Sequence, residues 1–181
     1  MPLSKEDKSL LLKIARETIE SYIKTKKISA FEVRSPCLLE KRGAFVSIKK
    51  DGDLRGCIGI FISDKPLYLT VVDMAISAAT QDPRFMPLTA PELSQISIEI
   101  SALTPLKKIE DVSEIEVGRH GLYIVKGYCR GVLLPQVATE YCWDRTQFLE
   151  HTCLKACLPT DGWKDGAEIC TFEAEVFGEG S

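Results

Sequence analysis

Ala44-Phe45-Val46-Ser47-Ile48-Lys49-Lys50-Asp51-Gly52-Asp53-Leu54-Arg55-Gly56-Cys57-Ile58-Gly59-Ile60-Phe61 is the stretch whose reading decides the fold. Two apolar runs flank Asp51-Gly52, a dipeptide suited to the left-handed positions of a tight hairpin turn. The reading is a strand over Ala44 to Lys49 and a return strand over Leu54 to Phe61. A two-residue loop pairs Lys50 with Asp53, which sets Ile48 opposite Arg55 and Val46 opposite Cys57. A four-residue loop gives the same register. Opposite residues share a face. One face is therefore expected to carry Ala44, Val46, Ile48, Arg55, Cys57 and Gly59, and the other Phe45, Ser47, Leu54, Gly56, Ile58 and Ile60. Both sets are largely apolar, which predicts a hairpin covered on both sides.

Outward from the hairpin, Ser4 with Asp7 makes a capping-box spacing. Leu11, Ile14, Ala15, Thr18, Ile19, Tyr22 and Ile23 follow at helical intervals and predict an amphipathic helix ending near Lys24-Thr25-Lys26-Lys27. That lysine run reads as a solvated helix end favoured by the helix dipole, with an anion site as the alternative. From Pro66 to about Ala79 the chain is apolar nearly all round, which predicts a buried helix. Gln81 to Met86-Pro87 is a loop held open by two prolines. Ile96, Ile98, Ile100 and Ala102 alternate with polar residues as a half-buried strand. A second hairpin spans Leu122 to Lys126 and Gly131 to Leu134. A short helix starts at Pro135, another is capped by Asp144 with Gln147 and reaches about Cys157, and Ile169 to Phe177 reads as a last strand. Hairpins and short links of this kind favour an α+β fold, a mainly antiparallel sheet with flanking helices, over a doubly wound parallel sheet. With no repeat and no clear linker, residues 1–181 read as one domain.

A net charge of −3 lacks the basic excess of a phosphate-backbone binder, so nucleic acid is disfavoured. No apolar run approaches the ~20 residues that span a bilayer, and the first residues do not read as a signal peptide. A cytoplasmic location is the expectation. The seven cysteines are irregularly spaced without a Cys-x-x-Cys pair, and most read as reduced core residues.

Arg55 is the unusual residue of the hairpin. A guanidinium cannot shed its charge, and among apolar neighbours it requires a carboxylate or an anionic ligand. An internal salt bridge, to Asp82 or Glu99 for instance, is the first reading; a bound carboxylate or phosphate is the other. Cys57, two residues on, is a candidate nucleophile because a neighbouring cation favours the thiolate. Gly56 and Gly59 suggest close approach by another backbone or a ligand. Asp82 and Arg84 flank Pro83 and are read as part of a charged cluster with Arg55. Of the two histidines, His120, in a glycine-flanked turn, is the better candidate base for Cys57, and His151 the lesser. His151 and Cys153 are two apart on a helix and cannot grip one ion. Cys153 and Cys157 supply only two ligands, so no metal site is expected there. No phosphate-cradling loop is present and no cofactor is evident.

Leu54-Arg55-Gly56-Cys57-Ile58-Gly59 resembles the hallmark of the AMMECR domain family. Asp82-Pro83-Arg84-Phe85, Ser101-Ala102-Leu103-Thr104, Val117-Gly118-Arg119-His120-Gly121 and Leu134-Pro135-Gln136-Val137-Ala138 match in the same order, and the stretch from Trp143-Asp144 through Trp163 resembles the prokaryotic branch. Met86 departs from the pattern, standing where members usually carry a proline. The resemblance implies an α+β fold with a larger lobe on an antiparallel sheet and a smaller lobe beside it. It also implies a pathway shared with a Memo-type protein and a radical-SAM protein as partners. It implies no defined activity.

Three functions follow. The first is an enzyme or enzyme accessory taking a small anionic ligand, its pocket floored by Arg55, Gly56, Cys57 and Gly59 and walled by Asp82, Arg84 and His120. The second is a non-catalytic protein-interaction module, and the third a nucleic-acid-associated regulator.

Overall fold

In the computed structural model, which describes residues 2–180, Asp51 and Gly52 take φ of 53° and 88°. Two successive left-handed residues make the turn whose twist matches its strands, so the hairpin closes where the sequence places it. β1 is Ala44–Lys50 and β2 is Asp53–Ile60. Before them lie α1 (Lys5–Thr25) and the short α2 (Pro36–Leu39). After them come α3 (Leu67–Thr80), β3 (Ile96–Leu103), β4 (Lys107–Ile109), β5 (Gly121–Lys126), β6 (Cys129–Leu133), α4 (Pro135–Glu140), α5 (Arg145–Lys155), β7 (Glu168–Phe172) and β8 (Ala174–Gly178). The fold is α+β with antiparallel sheets, as expected.

The chain forms two compact units, one comprising residues up to Leu103 and from Glu175 onward, the other Thr104–Ala174. The first holds a sheet ordered β2-β1-β3-β8, with α1 and α3 packed on it. Ser4 caps α1 through the expected box, and its Leu11, Ile14, Ala15 and Ile19 are wholly buried. Leu11, Ala15 and Ile19 share one apolar core with Leu67, Val71 and Ala75 of α3 and with Val46, Ile48, Ile98 and Ile100 of the sheet, and Ile14 packs with Val72 and Ile76 of α3 in a second cluster. The second unit holds a sheet ordered β4-β7-β5-β6 and closes its core with Leu122, Ile124, Phe148, Leu149 and Cys153. Among the described residues no helix is long and apolar enough to cross a membrane.

Two expectations are overturned. The single last strand over Ile169 to Phe177 is two strands, β7 and β8, in different sheets. Glu173 separates them. Its N–H donates to Thr104 Oγ1 (2.8 Å) and its carbonyl accepts from Thr104 N–H (2.9 Å). The run of apolar residues hides this break because both strands are partly buried.

The hairpin register is the second correction. Lys50 pairs with Asp53 and Lys49 with Leu54, but Ile48 then pairs with Gly56 and Ser47 with Cys57. Arg55 is the extra residue of a β-bulge, and every later side chain changes face. The expected register would have set Arg55 beside Val46 and Ile48, both buried, where a guanidinium is costly. The bulge turns Arg55 aside and aligns Ile58 with Val46 instead. The face opposite the helices accordingly carries Phe45, Ser47, Lys49, Cys57 and Gly59, all half-buried. The hairpin is therefore apolar on one face and mixed on the other.

Candidate functional site

β2 is the edge of its sheet, so alternate backbone groups point away from β1 and need partners. At Cys57 the loop after α3 supplies them. Asp82 Oδ2 accepts from the Cys57 N–H (2.9 Å), and Arg84 Nη2 donates to the Cys57 carbonyl (3.4 Å). Asp82 and Arg84 in turn hold each other: Nε to Oδ1 (3.0 Å), Nη2 to Oδ2 (2.8 Å), and the Arg84 N–H to Oδ1 (3.1 Å). The side chain of Asp82 is almost wholly buried and that of Arg84 is 56% exposed. Bonds from Arg84 and from the Cys57 N–H hold the Asp82 carboxyl far below the usual carboxylate range. Asp82 in return raises the Arg84 guanidinium.

The Cys57 side chain projects onto the mixed face. Its Sγ accepts a hydrogen bond from Ser47 Oγ at 3.1 Å. Ser47 pairs with Cys57 on one side and with Glu99 on the other, so Cys57, Ser47 and Glu99 form a row across three strands. Lys49 Nζ bonds Glu99 Oε2 at 2.9 Å and neutralises it.

Arg55 is engaged elsewhere. Nε and Nη2 fork onto Glu92 (3.0 and 3.1 Å), and Nη1 donates to the Met86 carbonyl (2.9 Å). An internal salt bridge is thus present, but its carboxylate is Glu92 and neither Asp82 nor Glu99. The bulge is the reason, because it aims Arg55 at the turn Thr89 to Glu92. Glu92 also accepts from the Thr89 N–H and hydroxyl, and Lys50 approaches within 3.5 Å. The Arg55 bonds bring the Glu92 carboxyl down to about 2. Met86, the departure from the family pattern, serves Arg55 with a carbonyl that any residue could supply.

The two glycines make room for parts of the protein itself. A Cβ on Gly56 would lie 2.2 Å from the Ala78 carbonyl oxygen of α3, and one on Gly59 would lie 2.1 Å from the Phe45 ring. His120 belongs to the second unit, whereas Cys57 belongs to the first. His120 Nδ1 accepts from the Glu116 N–H (3.1 Å), and Nε2 lies 3.9 Å from Glu173. Neutral His120 therefore carries its proton on Nε2 and acts there as a donor. His151 stacks face to face on Trp143 at 3.8 Å. Among the described residues no three His, Cys, Asp or Glu side chains gather as a metal site.

Two residues escaped the sequence reading. Glu92 was legible, since Thr89-x-x-Glu92 is a capping-box spacing. Arg42 was not. It is wholly buried, with Nε on the Leu103 carbonyl (2.6 Å) and Nη2 on Glu175 (3.4 Å), partners 61 and 133 residues away.

Comparison with known proteins shows the family. The family model AMMECR1 matches residues 12–177. Protein Mbar_A1807 of Methanosarcina barkeri is 48% identical, covering 93% of this chain and 88% of that protein. Protein MK0488 of Methanopyrus kandleri is 46% identical, covering 98% and 90%. The crystal structure of the uncharacterized protein PH0010 from Pyrococcus horikoshii superposes with a TM-score of 0.75 at 40% identity, covering 94% of this chain and 90% of that one. These matches run nearly end to end and include the braced strand Leu54 to Gly59, and the chain belongs to the AMMECR1 family.

Proposed function

We propose that the protein is an enzyme, or the accessory of one, that acts on a small molecule through the Cys57 thiol. The observation that carries this reading is a division of labour within the motif. Arg55 is committed to Glu92, Gly56 and Gly59 to packing, and Asp82 to bracing the Cys57 backbone. Cys57 Sγ alone is left facing the mixed surface, with a hydroxyl donor on it. Holding a nucleophile's backbone and its hydrogen-bond donor in place is how a site is organised before substrate arrives. In the step itself the Sγ proton leaves to water and Sγ adds to an electrophilic double-bonded carbon of the substrate, such as a carbonyl carbon; the π pair moves to the atom at the other end of that bond, which takes a proton from water.

The test is turnover of a small-molecule extract from the producing cells, read by untargeted mass spectrometry. The wild-type protein is expected to consume at least one compound, or to carry it as an adduct on the Cys57 peptide, and Cys57→Ser to do neither. Indistinguishable profiles for the two proteins would overturn the proposal.

A second reading, a non-catalytic protein-interaction module, rests on a different observation. Leu54, Ile60 and Ile62, on or just after the edge strand, and Met86 in the bracing loop are exposed apolar residues. Its partners would be the Memo-type and radical-SAM proteins. Ser in place of Ile62 and Met86 would then abolish association while leaving the extract experiment unchanged.

A further inference from the structure

We infer that the molecule presented to Cys57 carries a carboxylate or a comparably compact anion, and that Arg84 binds it. This rests on the reading of Cys57 as the reactive group. The two arginines of the motif region differ in what their nitrogens have left to give. All three nitrogens of Arg55 bond within the protein, to Glu92 and the Met86 carbonyl. Arg84 uses Nε and Nη2 on Asp82 and the Cys57 carbonyl, and its Nη1 has no hydrogen bond among the described residues.

A guanidinium held by two bonds on one edge has a fixed plane, so its remaining N–H groups point in a set direction and lose little freedom when an acceptor arrives. The Arg84 side chain is 56% exposed, and its guanidinium carbon lies 5.4 Å from the centroid of the Phe85 ring. Its position is tied to Cys57 by the bond to that residue's carbonyl.

The surrounding charges permit an anion there. Asp82 is buried beneath Arg84 and already satisfied by three donors of Arg84 and the Cys57 N–H. Glu99, the other carboxylate of the row, is paired with Lys49. Among the described residues, the guanidinium edge near Cys57 without a hydrogen bond is that of Arg84. The sequence offers both Arg55 and Arg84 to a ligand, with an internal salt bridge as the first reading of Arg55, and the bulge commits Arg55 to Glu92.

Two alkylating reagents of near-equal size separate the possibilities: iodoacetate, an anion, and iodoacetamide, its neutral counterpart. Rates are read peptide by peptide, with the exposed Cys142 of the same molecules as internal reference. The iodoacetate-to-iodoacetamide ratio cancels any change in thiol reactivity common to both reagents. At Cys57 this ratio is expected to exceed that at Cys142 by about tenfold, an attraction of the size a charge-assisted contact supplies. It is expected to fall to the Cys142 value in Arg84→Gln and to keep part of the excess in Arg84→Lys. Malonate is expected to protect wild-type Cys57 from iodoacetamide saturably, a measurement that requires no variant to fold. Equal ratios at the two cysteines, with Cys57 still fast toward iodoacetamide, would overturn the inference and leave the reactive thiol standing. An excess that persists in Arg84→Gln would also overturn it. A Cys57 slow toward both reagents would instead remove the reading on which the inference rests.

Discussion

Gly56→Ala is expected to lower the stability of the first unit by about 3 kcal/mol, at the upper end of what overpacking costs. The new Cβ would lie 2.2 Å from the Ala78 carbonyl oxygen. That atom belongs to the backbone of α3, so no rotamer change can move it away. The opposing effect, the ~0.5–1 kcal/mol that replacing glycine within a regular element returns in chain entropy, is too small to offset the clash. Gly52→Ala separates this cause from backbone strain. Gly52 has φ of 88°, and a Cβ there would meet nothing within 4 Å, so its loss should be only ~1–2 kcal/mol, the cost of a left-handed residue. Urea denaturation of both variants makes the comparison, and a Gly56→Ala no worse than Gly52→Ala would mean that α3 does not pack against β2 at this glycine.

The second large effect lies at Glu92. Glu92→Gln is expected to destabilise the protein by about 2 kcal/mol at neutral pH. It replaces a carboxylate that accepts two Arg55 bonds by an amide whose NH2 faces a donor. The effect should depend on pH in a definite direction. Glu92 titrates at about 2 in the folded protein, against an ordinary value of 4.5 when free of its partners. A group with a depressed folded pKa stabilises fully above its unfolded value, and that contribution disappears as pH falls through the folded one. The gap in urea midpoint between wild type and Glu92→Gln is therefore expected to be constant above about pH 5 and to narrow from pH 4.5 toward 2. A gap that widens on acidification would contradict the Arg55–Glu92 pairing.

Much of the architecture was legible because it is written in local patterns. The Ser4-x-x-Asp7 box, the all-round apolar segment after Pro66, the Asp51-Gly52 turn and the Asp144-x-x-Gln147 box each fix an element through contacts a few residues apart. The register beyond Lys49 was not legible. A bulge is chosen by tertiary demands, here the removal of a guanidinium from the core and the fit of Gly56 under α3, and neither leaves a mark on alternation. The break at Glu173 was hidden for a similar reason, since its partner Thr104 is 69 residues away. At the site, sequence correctly singled out a charge that needed a partner at Arg55 but could not choose among carboxylates. It found Asp82 and Arg84 from the rigid loop, yet their task of clamping the Cys57 backbone depends on β2 lying at a sheet edge, which only the strand order reveals.

The clamp's proposed role is to present Cys57, alone among the motif's polar groups, for reaction. The rate of iodoacetamide modification at Cys57 in the native protein, compared with Cys142 and Cys157 in the same sample, tests it most directly. Cys142 and Cys157 are exposed, whereas burial holds the thiols of Cys153 and Cys170 up and away from reaction. Half-buried Cys57 is expected to react faster than either exposed cysteine. A Cys57 that reacts more slowly than both, in step with Cys153 and Cys170, would contradict it and make the strand Leu54 to Gly59 a structural element only.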